Sequence, residues 1–169
     1  YYDAGIELNK PASDTEAARA FWALLSQDPA ALEAEKLKQD IDGLKFADIA
    51  GYFPTPRAVV ERMIHLADIP HDSVSPVLEP SAGHGAIIDV LKETRPHLDI
   101  HACEVSPRLR SILQRKGVDL VGDDFTKYLP LVSFDYVLMN PPFERGQDAE
   151  HVMRAFEMVA PGGRLVSVM

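Results

Sequence analysis

The sequence predicts a three-layer α/β domain on a mostly parallel sheet, preceded by a helical extension. Three observations carry this. Short β-rich apolar runs of strand length, at 77–79, 100–104, 118–121, 134–139 and 164–169, alternate with amphipathic stretches of helix length. Four of these runs finish at or beside an acidic or amide residue, Glu79, Glu104, Asp123-Asp124 and Asn140, which gathers polar groups at one edge of a sheet. The strand–helix–strand order favours parallel pairing through right-handed crossovers, and no internal repeat competes with it.

Composition narrows the class. At 169 residues, with 46% hydrophobic and 25% charged, the chain suits one well-cored globular domain plus a small extension. No apolar run reaches the roughly 18 to 20 residues of a membrane helix, and the N-terminus lacks a basic-then-apolar leader, so a cytoplasmic protein is expected. The single Cys103 forms no internal disulfide, and the six His residues show no metal-ligand spacing, so no metal is expected. A net charge of −9 argues against a broad nucleic-acid-binding face. The modest basic cluster Arg108, Arg110, Arg115 and Lys116 falls on one predicted helix and reads as a solvated face.

Residues 1–50 form the predicted extension. Residues 1–13 have no periodicity. Ser13 or Asp14 caps a helix to about Gln27, with Ala17, Phe21, Leu24 and Leu25 on one face. Asp28 as cap with Pro29 at the first helical position starts a second helix, whose thinner stripe is Leu32, Leu37 and Ile41, up to Asp42-Gly43. This pair reads as a packing extension, with a lid or a homo-oligomer contact as the sharper alternatives.

The predicted main domain spans 51–169. Gly51-Tyr52-Phe53-Pro54-Thr55-Pro56 leads into a helix with Val59, Val60, Met63 and Ile64, which Thr55 is placed to cap. Tyr52 and Phe53 offer one wall of a ligand pocket, or this is a plain linker. Val77-Leu78-Glu79 then ends in Pro80-Ser81-Ala82-Gly83-His84-Gly85, a small-residue loop that lets a ligand approach the backbone. About twenty residues on, the second strand ends in Glu104, the place from which such folds bind ribose hydroxyls. Ser106-Pro107 opens the next helix, and the third strand ends in Gly122-Asp123-Asp124-Phe125. Three strands thus finish in carboxylates, which repel a dinucleotide. Ile88 stands where a dinucleotide fingerprint needs its third Gly, and no Gly-Lys-Ser/Thr loop exists, so NAD and ATP are disfavoured. A ligand with hydroxyls, amino groups and positive charge fits better.

The fourth run, Phe134 to Met139, stops at Asn140-Pro141-Pro142-Phe143. Proline continues neither ladder nor helix, so the chain leaves the sheet here, where open α/β sheets bind ligands. Asn140 brings one acceptor and two donors, the prolines stiffen neighbouring carbonyls, and Phe143 adds a flat apolar face, which together suit a planar amine. The competing reading is a rigid Asn-Pro turn. Asp148 then caps a helix with Val152, Ala155, Phe156 and Val159, which ends at Pro161-Gly162-Gly163 before the last strand.

In this order and spacing, Phe53-Pro54-Thr55-Pro56, Glu79-Pro80-Ser81-Ala82-Gly83-His84-Gly85, Glu104, Asp124-Phe125 and Asn140-Pro141-Pro142-Phe143 resemble the class I S-adenosylmethionine-dependent methyltransferases, and among them the amino-methylating DNA adenine group. The resemblance implies a Rossmann-like methyltransferase sheet and S-adenosylmethionine as cofactor. Gly83 and Gly85 would pass under its methionine part, Glu79 would order that loop, Glu104 would take the ribose hydroxyls, and Asp124 and Phe125 the adenine. Phe53, Thr55, Pro56, Pro80, Ser81, Ala82, Val105, Asp123 and Asn140 complete the implied cofactor surroundings. Asn140 and the Pro141 carbonyl would also accept from the target amine, with Pro142 shaping the corner and Phe143 stacking on a flipped base. DNA is the implied substrate; RNA or protein glutamine, or an inactive relative, are alternatives. The family's sheet usually has seven strands and a separate base-recognition region, so further strands and a DNA-gripping segment or subunit are expected outside these five.

Overall fold

The computed structural model describes residues 29–47, 49, 51–143 and 146–169. The helix expected over 14–27 lies outside the described residues. The chain forms two compact units, Tyr1–Gly43 and Leu44–Met169, so the boundary expected after residue 50 falls inside the second. In the first, helix α1 (Pro29–Gly43) starts at Pro29 as its sequence suggests and buries none of its side chains.

The second unit runs from a short 3-10 turn (Leu44–Phe46) through α2 (Arg57–Ala67), β1 (Pro76–Glu79), α3 (Ala86–Thr94), β2 (Asp99–Cys103), α4 (Pro107–Arg115), β3 (Asp119–Gly122), β4 (Phe134–Met139), α5 (Gln147–Glu157) and β5 (Val159–Ser167). The strands form one parallel sheet in the order β3-β2-β1-β4-β5. This is the expected α/β architecture. The order reverses between β1 and β4, whose Leu78 and Val137 pair. Their carboxyl ends therefore open a crevice between diverging crossovers, which is where such sheets bind ligands.

Side-chain alternation builds the layers. On β1, Val77 faces a cluster with Val60, Ile64, Ile87 and Leu91 of α2 and α3. Its neighbour Leu78 faces the opposite cluster, with Phe134, Val137, Met139 and Ala155. On β4, Leu138 joins the first cluster while Val137 and Met139 join the second. The near-continuous apolar character of these two strands follows from burial on both faces.

Three local expectations are corrected. Thr55 does not cap α2; Pro56 is the N-cap, its carbonyl accepts from the Val59 and Val60 N–H groups, and the Thr55 hydroxyl is engaged elsewhere. Asp148 does not cap α5 but lies in its first turn, because Gly146 takes the left-handed conformation (φ 75°) at the N-cap. α5 ends at Glu157 rather than at Pro161-Gly162-Gly163. That triplet instead loops out within β5, since Phe134 pairs with Val159 while Tyr136 pairs with Arg164. Gly163 is required there, as a Cβ would stand 2.7 Å from the Asp135 carbonyl oxygen.

Candidate active site

A cavity of about 350 Å³ opens at the carboxyl edge of the sheet. Its floor is the loop after β1. Gly83 and Gly85 take left-handed conformations (φ 59° and 91°), which β-carbon-bearing residues adopt only with strain. Gly85 is the N-cap of α3. Its missing Cβ leaves room for Leu113, whose Cδ2 would lie 3.0 Å away.

Carboxylates organise this side. Glu104 Oε2 accepts from the Gly83 N–H at 2.7 Å, and Oε1 accepts from the Ser106 N–H at 2.8 Å. Burial pushes the Glu104 carboxyl up, against the pull of those N–H groups. Glu79 lies below the floor, 2% exposed, with Oε2 lacking a hydrogen-bond partner among the described residues. Burial, then the nearby Glu104 and Asp89, raise it well above the usual carboxylate value. Asp124 is opposite in character. Lys127, 2.8 Å away, and the Thr126 hydroxyl at 2.6 Å hold its carboxyl down at about 2. Phe125 is buried, its ring edge-on to His151 with centroids 5.3 Å apart. Arg154 fixes this segment by donating to the Phe125 and Tyr128 carbonyls.

The opposite wall is the corner after β4. Asn140 Nδ2 donates to the Phe53 carbonyl at 2.9 Å and to Thr55 Oγ1 at 3.1 Å. A carbonyl can only accept, so the nitrogen of the amide must face it and the orientation of Asn140 follows. Asn140 Oδ1 is then left buried with no hydrogen-bond partner among the described residues. Pro141 is buried, and Phe143 is 41% exposed, its ring 6.3 Å from that of Phe53.

Of the residues singled out from sequence, Phe53, Thr55, Pro80, Ser81, Gly83 and Glu104 line the cavity, as do Val105, Asp123, Asp124, Phe125, Asn140 and Pro142. Pro56, Glu79, Ala82, Gly85, Pro141 and Phe143 support or flank it without lining it. Ala82 does so by donating its N–H to the Cys103 carbonyl. Sequence reasoning missed His84, Gln147 and His151, which also line it. Gln147 and His151 stand four apart on α5 just past the corner, a spacing that puts both on one helix face. His151 Nδ1 lies 3.3 Å from Ser81 Oγ, and burial lowers its pKa. The basic cluster on α4 is not merely a solvated face: Arg110 donates to the Glu104 and Val105 carbonyls, and Lys116 to the His84 carbonyl and Asp89.

The donor set suits a hydroxyl-rich cation. Carboxylates at Glu104, Asp123 and Asp124 share a cavity with small, apolar and uncharged polar residues, and no Lys or Arg lines it among the described residues. Comparison with known proteins agrees. The chain is 33% identical over 101 residues to the modification methylase CviBIII of Paramecium bursaria Chlorella virus NC1A, a match covering 55% of this chain and 26% of that protein. The chain thus spans about a quarter of the length of that curated relative. Among solved structures, the methyltransferase subunit of a type I restriction-modification system from Streptococcus thermophilus superposes with a TM-score of 0.59 at 18% identity, covering 71% of this chain and 35% of that one. An RNA methyltransferase from Salinibacter ruber, in complex with S-adenosyl-L-homocysteine, superposes with a TM-score of 0.54 at 22% identity, covering 68% of this chain and 76% of that one. These structural likenesses establish the fold. Residues 62–169, more than half of the sequence and nearly all of the sheet unit, match the methyltransferase small domain. The chain therefore belongs to the methyltransferase small domain family, whose members are S-adenosylmethionine-dependent methyltransferases.

Proposed function

We propose that the chain carries a methyl-transfer site acting on the exocyclic amino nitrogen of adenine in DNA. The observation that carries this reading is Asn140 Oδ1, a buried acceptor with no partner among the described residues, on an amide whose nitrogen is pinned by Phe53 and Thr55. Leaving such an acceptor unpaired costs about 1–3 kcal/mol, so the site favours a ligand that brings a donor to it. An exocyclic amine does so. With one N–H on Asn140 Oδ1 and another on the Pro141 carbonyl, the amine nitrogen is drawn out of conjugation and its lone pair is aimed. S-Adenosylmethionine supplies a methyl group activated by its sulfonium. Asn140 and Pro141 then carry the positive charge that grows on the nitrogen, and positioning provides most of the acceleration. Phe143, partly exposed beside the corner, offers a face for a base flipped out of its duplex.

DNA as substrate is supported by the likeness to a viral modification methylase and to a restriction-modification subunit. The net charge of −9 assigns the grip on the duplex to a recognition segment or subunit outside these residues. Nucleoside analysis of plasmid DNA incubated with the chain and S-adenosylmethionine tests the reading. N6-methyladenine is expected, and Asn140→Ala should lower its yield about 100- to 1,000-fold. Methyl label appearing only in RNA or in protein glutamine would replace adenine as the acceptor.

A further inference from the structure

The segment Gly51–Thr55 touches both halves of the site. At one end, Tyr52 Oη is hydrogen-bonded to His84 Nδ1 of the glycine loop at 2.7 Å. The Tyr52 ring lies over Gly83, with Cε2 3.3 Å from where a Cβ would stand. His84 is itself anchored, its carbonyl accepting from Lys116 Nζ at 2.7 Å. At the other end, the next residue, Phe53, gives its carbonyl to Asn140, and Thr55 gives its hydroxyl. Gly51 packs so closely on Pro142 that a Cβ there would stand 3.1 Å from the proline Cβ.

We propose that this segment is a positioning strap, in which the Tyr52–His84 hydrogen bond transmits occupancy of the cofactor loop to the orientation of the Asn140 amide. The inference rests on the methyl-transfer reading of Asn140. One planar peptide and the Phe53 backbone separate Tyr52 from the Phe53 carbonyl, and Pro54 and Pro56 restrict Phe53 and Thr55, so few torsions are left to absorb a shift of Tyr52 before it reaches Asn140. Burial raises the Tyr52 phenol to about 12 and lowers the His84 imidazole. Both partners are thus uncharged through the neutral range and the link persists there. A ligand on the glycine loop changes the contacts of Tyr52 and His84, and this differential contact is what coupling between two sites requires. Tyr52 and His84 are positioning residues here, acting through Asn140.

The sequence contains two asparagines, Asn9 and Asn140. Labelling with side-chain 15N-asparagine therefore gives two amide signals, and Asn9→Gln identifies that of Asn140. Titration of the wild-type chain with S-adenosylhomocysteine should shift the Asn140 signal along the calorimetric binding curve. Tyr52→Phe keeps the ring over Gly83 and removes only the hydroxyl; at saturating S-adenosylhomocysteine the shift should be lost, and His84→Ala should lose it too. A full-size shift in Tyr52→Phe, or none in the saturated wild type, would overturn the strap. Methyl transfer is scored separately: a coupled shift without methylation of adenine upholds the strap and removes the acceptor assignment.

Discussion

The two sides of the cavity treat their polar groups in opposite ways. On the loop side, two of the carboxylates that line the cavity are internally engaged: Glu104 holds Gly83 and Ser106, and Asp124 holds Thr126 and Lys127. At the corner, Asn140 engages its amide nitrogen and keeps its oxygen unpaired among the described residues. The loop side is thus built in advance to a fixed shape, while the corner is completed by what binds to it. The difference matches a division in which one half holds a methyl donor tightly and the other gains most of its interaction with the reacting amine.

The largest test of that division is at Glu104. Glu104→Ala should weaken S-adenosylhomocysteine binding about 10- to 100-fold, the equivalent of losing one or two hydrogen bonds to a charged group. Asn140→Ala should weaken calorimetric affinity far less; an equal loss in both variants would break the division. The next effect concerns preorganisation of the loop. Gly85→Ala combines a left-handed backbone with a 3.0 Å approach to Leu113 and should cost about 1–3 kcal/mol by urea unfolding. Gly117→Ala serves as its control, since a Cβ there meets nothing within 4 Å and only the strain of φ 62° remains. Equal destabilisation would show that packing under the loop is slack. The smallest effect is on pH dependence. Glu79 titrates higher in the folded chain than in the unfolded one, so its contribution to stability is complete below about pH 4 and declines as pH rises through its elevated folded value. Glu79→Gln should flatten the fall of stability with rising pH above about pH 4 in thermal unfolding. Parallel curves would mean that the buried acid is already ionised.

Much of the fold was legible because each central strand is a short run ended by a residue that cannot continue it. Glu79-Pro80 and Met139-Asn140-Pro141 are such stops, and the structure ends β1 and β4 there. Termini set by left-handed glycines were less legible. Gly146 displaced Asp148 as the cap of α5, and Gly162-Gly163 read as a helix stop but form an outward loop in β5. Local propensity cannot separate these cases, because the pairing of Phe134 and Tyr136 with β5 decides them.

The amino-acid sequence by itself determined the α/β order, the glycine loop, the acidic strand ends and the Asn-Pro-Pro-Phe corner, since all of these depend on neighbours within a few residues. Only the tertiary structure decided which acids serve which end. Glu79 lies on a central strand and is buried beneath the loop, Glu104 reaches back 21 positions to Gly83, and Asp124 stays at the rim with Lys127. It also decided the state of Asn140: the atoms that pin its nitrogen come from residues 85 and 87 positions earlier, brought to the corner by packing across the sheet edge. An acceptor left unpaired by such contacts follows from where the whole chain places its donors, which no local pattern of residues contains.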